Sequence, residues 1–194
     1  PSRYCIEANA HGLARFAKLT QEAKMVPIVE PEVLMSGTHT VERCADATEA
    51  TLAELYHQLH IHRVDLAGTL LKPNMIVSGD ECPEQADAQT VAALTVQTLS
   101  RTVPSAVPGI VFLSGGLSEI DATRNLNEMN KMGPHPWELS YSFGRALQTS
   151  ALQAWAGKVD NKEAGQAAFA HRARCNGLAR TGDYSEAIEA SATA

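Results

Sequence analysis

Val64-Asp65-Leu66-Ala67-Gly68-Thr69-Leu70-Leu71-Lys72-Pro73-Asn74-Met75 is an apolar run of strand length that ends on one lysine and is stopped at once by a proline. Leu, Val, Ala and Thr at that density predict a strand covered on both faces, the pattern of a parallel sheet, with Pro73 ending its ladder by removing a backbone donor. Lys72 is thereby expected at the carboxyl end of a buried strand. Desolvation favours the neutral amine and moves a lysine down from its usual pKa of about 10.4. A neutral amine attacks carbonyls, so one reading of Lys72 is an imine-forming nucleophile. The other is a lysine that extends its head from a strand end into water.

The same alternation continues on both sides of this run. Upstream, residues 2–24 read as a helix with Ser2 as N-cap, residues 25–30 as a short buried strand ending in Glu30-Pro31-Glu32, and residues 38–59 as a helix. Downstream come a loop over 74–83, a helix over 84–101, and a strand over 109–113 that opens onto Ser114-Gly115-Gly116. A helix over 118–130, a strand over 138–143 ending at Gly144-Arg145, a helix to about 155 and another over 161–180 complete the order. Residues 1–182 are expected to form one unit and the alanine- and serine-rich residues 183–194 a mobile tail. Strand then helix, four times over, predicts an α/β fold with a parallel sheet and right-handed crossovers, half of an eightfold TIM (β/α)8 barrel. An open doubly wound sheet is the alternative, although no Rossmann fingerprint is present; both architectures place their sites at strand carboxyl ends.

Composition narrows the function. The 194 residues carry a formal charge of -6 with acids and bases interspersed, which argues against a nucleic-acid footprint and leaves small anionic ligands open. Cys5, Cys44, Cys82 and Cys175 are widely spaced with no CxxC pair, and the sequence offers no cysteine-histidine cluster of zinc-site form. Reduced thiols in a cytoplasmic compartment are the expectation. No apolar run reaches bilayer-spanning length, so no membrane association is expected. His60 and His62 share a metal-like spacing but fall at the amino end of the Lys72 run, away from the suspected face.

On the carboxyl face the residues collected are Glu30, Glu32, Lys72, Ser114-Gly115-Gly116, Ser142 and Gly144-Arg145. An amine attacking a ketone needs a proton donor to expel the carbinolamine hydroxyl, and a carboxylate with a raised pKa can give and recover that proton. Glu30, directly after Val26-Pro27-Ile28-Val29, is expected to be more desolvated than Glu32. Ser-Gly-Gly after an apolar strand suits a phosphate, because glycine allows close backbone approach and leaves N–H groups free. Arg145 would add a forked cation. Each has a plainer reading: a tight turn for the glycines, a helix-surface cation for Arg145, solvated loop acids for Glu30 and Glu32.

Five blocks, in order, resemble the carboxyl-terminal half of class I fructose-bisphosphate aldolase in its eukaryotic cytosolic form. They are Val26-Pro27-Ile28-Val29-Glu30-Pro31-Glu32, Gly68 to Met75, Phe112-Leu113-Ser114-Gly115-Gly116, Asn125-Leu126-Asn127, and Ser142-Phe143-Gly144-Arg145-Ala146-Leu147-Gln148. The resemblance implies the last four βα units of the barrel, Lys72 as Schiff-base lysine, Glu30 as acid/base and Glu32 as a second site carboxylate. It implies that Ser114, Gly115, Gly116, Ser142, Gly144 and Arg145 hold the phosphate of a phosphorylated sugar. It further implies a glycolytic lyase that works without metal or other cofactor, as a cytoplasmic homotetramer. Leu117 stands where the family has glutamine, and Ile76-Val77-Ser78-Gly79 departs from the family's Val-Thr-Pro-Gly. The family's amino-terminal half and its terminal tyrosine have no counterpart here, so the chain is expected to be a fragment, inactive alone. A non-catalytic phosphate-binding or scaffolding barrel fragment is the competing expectation.

Overall fold

Helix α1 (Arg3–Glu22) begins where the Ser2 hydroxyl accepts a hydrogen bond from the Cys5 N–H, and it buries Ala10, Ala14 and Ala17 along one stripe. A computed structural model describes residues 1–190 of the chain. In it α2 (Val41–Ile61), α3 (Ala88–Thr102) and α4 (Glu119–Lys131) are capped the same way, by Thr40, Asp87 and Ser118. α5 (Arg145–Trp155) follows Gly144, and α6 (Lys162–Ala179) and α7 (Glu186–Ala190) close the described chain. The third helix starts later than the expected residue 84. Gln85 donates to the carbonyls of Gly79 and Cys82, and the Ala86 N–H donates to the Ser78 hydroxyl, which holds this stretch as a loop.

The strands are β1 (Ile28–Val29), β2 (Leu70–Leu71), β3 (Gly109–Phe112) and β4 (Glu138–Tyr141), all parallel and in the order β1-β2-β3-β4. That order separates the two expected architectures. A doubly wound sheet reverses direction at a switch point, whereas crossovers of one hand that always step the same way build an arc with helices on one side, as in a barrel.

The run around Lys72 is shorter as a strand than its composition predicts. Asp65 accepts from the Ala67 N–H and turns Leu66–Gly68 into a 3-10 helix, while Gln21 of α1 clamps Asp65 and the Gly68 carbonyl. Only Leu70 and Leu71 remain as ladder residues, but the pairing does not stop at Lys72. Its N–H donates to the Val29 carbonyl at 2.8 Å, and Pro73, which has no N–H to give, still accepts from Leu113 at 3.1 Å.

Register explains which side chains meet. Val29, Leu71, Ile110 and Leu139 stand side by side across the four strands, each at most 3% exposed, and pack under the helices with Phe112, Leu55, Leu59, Leu99 and Leu126. Burial of each such side chain contributes about 1.5–3 kcal/mol. Because strand side chains alternate, Ile28 and Leu70 lie on the opposite, barrel-interior face, and the next positions of that row are Glu30 and Lys72.

Beyond the strand ends, the loop after β1 is lashed to the loop after β2. Gly79 N–H donates to the His39 carbonyl, Asp80 N–H to Met35, Glu81 N–H to Gly37, and the Gly37 N–H to the Asp80 carboxylate. A Cβ on Gly79 would stand 2.1 Å from the Gly37 carbonyl oxygen. That neighbour is backbone and cannot swing aside, so Gly79→Ala is expected to cost about 3 kcal/mol, the upper end for overpacking. Urea unfolding of the full-length protein with this substitution checks the figure; an unshifted midpoint would show that the two loops do not need to touch.

The expected tail boundary at 183 differs from what is seen. Tyr184 is buried, its N–H donates to Asn127, and α7 sits on the body through Glu189, which Arg172 of α6 grips with its two terminal guanidinium nitrogens. A buried arginine needs a carboxylate, and docking the segment that carries Glu189 supplies one. Residues 191–194 of the expected tail lie outside the described residues.

Candidate active site

Glu30 and Lys72 meet because β1 and β2 are neighbours in register and both residues leave their strands on the interior face. The Lys72 Nζ lies 2.9 Å from Glu30 Oε1. Lys72 is neither fully buried nor without a partner, with its side chain 21% exposed, so the expectation of an isolated, desolvated amine is corrected to an ion-paired one. Glu30 and Glu32 are both exposed, the Glu30 side chain at 44%, and Glu30 is set apart by its contact with the amine. The pair lies inside the range of about 2.6–3.2 Å across which a proton can pass directly in general acid–base work.

Asn74, two residues past Lys72, is placed to position the loop after β1. It is 6% exposed, accepts from the Val33 N–H at 3.0 Å, and donates to the Thr48 hydroxyl and the Met75 carbonyl, each at 3.1 Å. Val33 follows directly on Glu32. A single buried amide thus fixes the Glu30-Pro31-Glu32 segment against both the lysine strand and α2. The sequence signal was faint: an asparagine two residues after a strand-ending lysine.

Ser114-Gly115-Gly116-Leu117 is a tight turn closed by the Leu117 N–H on the Ser114 carbonyl at 2.9 Å. Gly115 and Gly116 sit at φ 58° and 99°, the left-handed region where a side chain is strained. Neither glycine N–H is used by another group among the described residues. The Arg145 guanidinium comes to this turn: its Nη2 lies 3.9 Å from where a Cβ on Gly116 would stand. Arg145 is exposed and forms no ion pair among the described residues, and it opens α5 directly after Gly144, so a helix N-terminus points to the same place. Ser142 spends its N–H on the Phe112 carbonyl and keeps its hydroxyl free. The turn and anion-cradle readings are therefore not alternatives, since the turn is what exposes the N–H groups.

A small cavity lined by Val33, Met35, Asn74, Met75, Ser114 and Gly115 marks where the loops after β1, β2 and β3 converge. A larger cavity, about 640 Å³, lies between α1, α2 and the loop after β1. Its lining includes Glu30 and Glu32 but not Lys72, so it does not hold the amine. His62 contacts His11 edge-on at 4.9 Å and bonds the Gln58 carbonyl, and it belongs to no metal-capable cluster among the described residues. Such a cluster does exist among His171, Cys175 and Glu189, contrary to the expectation that no cysteine-histidine grouping is present. Burial, then the charge of Glu189, pushes the Cys175 thiol up; burial opposes charge on Glu189, but the Arg172, Tyr184 and His171 contacts hold it below the usual carboxylate range.

A family model described as "Glycolytic: Fructose-bisphosphate aldolase class-I" matches residues 1–194. Among similar proteins are fructose-bisphosphate aldolase of Dictyostelium discoideum, 52% identical over 184 residues, and fructose-bisphosphate aldolase B of Gallus gallus, 55% identical over 185 residues. Each alignment covers 95% of this chain and 52% or 51% of the relative, so the chain spans about half the length of the curated relatives it matches. A solved structure of fructose-bisphosphate aldolase from Plasmodium falciparum, described as a complex with TRAP and a small-molecule inhibitor, superposes with a TM-score of 0.94 at 48% identity. It covers 95% of this chain and 53% of that one.

Proposed function

We propose, from the premise that this chain belongs to the class I fructose-bisphosphate aldolase family, that the protein containing it is an aldehyde-lyase. It would cleave fructose 1,6-bisphosphate reversibly to dihydroxyacetone phosphate and glyceraldehyde 3-phosphate through an imine on Lys72. The observation that carries this reading is the 2.9 Å contact between Lys72 and Glu30 on the interior face at the strand ends. Glu30 takes a proton from the ammonium, the freed amine adds to the sugar's ketone carbon, and Glu30 returns the proton to the carbinolamine hydroxyl, which leaves as water. The iminium then accepts the electron pair of the bond between the third and fourth carbons as that bond breaks and the hydroxyl proton on the fourth carbon is removed. Protonation of the resulting enamine at the third carbon, followed by hydrolysis, releases the second product and regenerates Lys72.

Glu32 is assigned as the second carboxylate of this exchange, kept in reach by Asn74. Ser114, Gly115, Gly116, Ser142, Gly144 and Arg145 are assigned to the substrate phosphate. No metal or other cofactor enters the scheme, since the iminium is the electron sink. The same reading makes the protein a cytoplasmic homotetramer. No helix of the described residues is long and apolar enough to cross a membrane.

Borohydride reduction of the full-length protein in the presence of dihydroxyacetone phosphate, followed by peptide mass mapping, is expected to leave a secondary amine on the Lys72 peptide. An unmodified Lys72 peptide would favour a phosphate-binding scaffold without turnover. Arg145→Ala is expected to weaken phosphorylated ligands by about 1.5–3 kcal/mol, the range for a charge-assisted contact. Calorimetric titration with phosphorylated and unphosphorylated ligands checks it; equal losses for the two would return Arg145 to the helix surface.

A further inference from the structure

We propose that His171, Cys175 and Glu189 form a site for a thiophilic divalent cation of the zinc type, which fastens α7 onto α6. His171 and Cys175 are one turn apart on α6, so they leave the helix on the same face, and Glu189 arrives from α7. The Cys175 Sγ and His171 Nε2 are 3.5 Å apart, as are His171 Nε2 and Glu189 Oε2, and all three ligand atoms lie within 4.8 Å of one another. A tetrahedral zinc ion with bonds of about 2.3 Å to sulfur and about 2.0–2.1 Å to nitrogen and oxygen holds its ligand atoms roughly 3.3–3.6 Å apart. Two edges of that tetrahedron are therefore already present. The histidine–carboxylate distance is long for a hydrogen bond and right for two atoms sharing an ion.

The surroundings are those of a held site. Cys175 is fully buried, while the His171 and Glu189 side chains are 19% and 17% exposed, so the open side of the cluster faces water, which can take the fourth position. Arg172 and the Tyr184 hydroxyl both donate to the Glu189 carboxylate. A carboxylate has about four lone-pair sites, so Oε2 keeps one for a metal while its orientation is fixed from behind. Arg172 is itself pinned by the Thr123 hydroxyl on α4. On binding, Cys175 releases its thiol proton to solvent, and lone pairs of Sγ, Nε2 and Oε2 form three bonds to the cation with no electron transfer. Thiolate and carboxylate together offset the cation against the nearby guanidinium. The site is structural, lies on helices rather than strand ends, and is independent of the reaction assigned to Lys72.

The test uses the full-length protein with its thiols reduced and Co²⁺ as a spectroscopic probe. One equivalent should bind, giving a thiolate-to-cobalt charge-transfer band and the intense visible bands of tetrahedral cobalt, both displaced by Zn²⁺. Cys175→Ser should abolish the charge-transfer band, His171→Gln should weaken cobalt binding by at least about 100-fold, and Cys5→Ser, at an exposed cysteine, should change nothing. The proposal is overturned by an absent band in the unsubstituted protein, by a band that survives Cys175→Ser, by undiminished affinity in His171→Gln, or by a band lost in Cys5→Ser. Should Cys175→Ser not fold, His171→Gln decides alone, because that side chain is partly exposed and its loss leaves the core intact.

Discussion

Replacing Lys72 by methionine in the full-length protein should lower turnover of fructose 1,6-bisphosphate by on the order of 10⁴- to 10⁶-fold, the scale seen when a covalent nucleophile is removed. Methionine keeps the length and the apolar stem of the side chain, so the Lys72 N–H bond to Val29 and the strand pairing around it should persist. The loss is then chemical rather than structural. Without the amine no iminium forms, and the electrons of the breaking carbon–carbon bond have nowhere to go. Glu30 would also lose its partner, but at 44% exposure it can be hydrated, so the fold bears little of that cost. Steady-state cleavage assays alongside circular dichroism separate the two effects. A folded Lys72→Met protein that retains even a tenth of the activity would mean the reaction does not pass through this lysine.

Glu30→Gln is the second large effect, expected at about 10²- to 10⁴-fold in the steps that form and resolve the imine, which is what a positioned proton-transfer group contributes. Glutamine preserves shape and can still accept a hydrogen bond from Lys72, yet it cannot take up the ammonium proton. The cost should therefore fall on the rate of imine formation, while affinity for phosphorylated ligands, proposed to rest on Arg145 and the Ser114 turn, should be unchanged. Single-turnover trapping at several times after mixing reads this directly: a slowed approach to the same final adduct is the expected outcome. If adduct appears at the unsubstituted rate, the proton moves by another route, and Glu32 is the first residue to exchange roles with it.

How far the sequence carried the fold depends on the range of the interactions involved. Helix starts at Ser2 and Ser118 were readable because capping is local, and the four-fold strand and helix alternation followed from periodicity alone. The break in the Lys72 run was only half legible: the Asp65 turn onto the Ala67 N–H is local, but Gln21, which clamps that turn, lies on another helix, 44 residues from Asp65. Tyr184 and Glu189 were assigned to a tail for the same reason: nothing near them announces Arg172. At the site, strand ends picked out Glu30 and Lys72 individually, but their pairing needed the β1–β2 register, which no single segment encodes. The metal-capable cluster was not legible in the chain, because His171 and Cys175 gain the Glu189 carboxylate only when α7 docks.

The lashing of residues 35–39 to 79–81, with Asn74 as its buried pin, has a consequence for motion. Four backbone and side-chain bonds join two segments that carry few large buried side chains of their own, so neither segment can peel away without releasing the other. Amide protons on both sides of this seam should exchange with solvent deuterium in step, as one cooperative opening unit, at an opening free energy below that of the sheet beneath. The acid-bearing loop and the lysine strand's exit would then breathe together, and whatever admits a sugar to Lys72 would carry Glu30 and Glu32 with it.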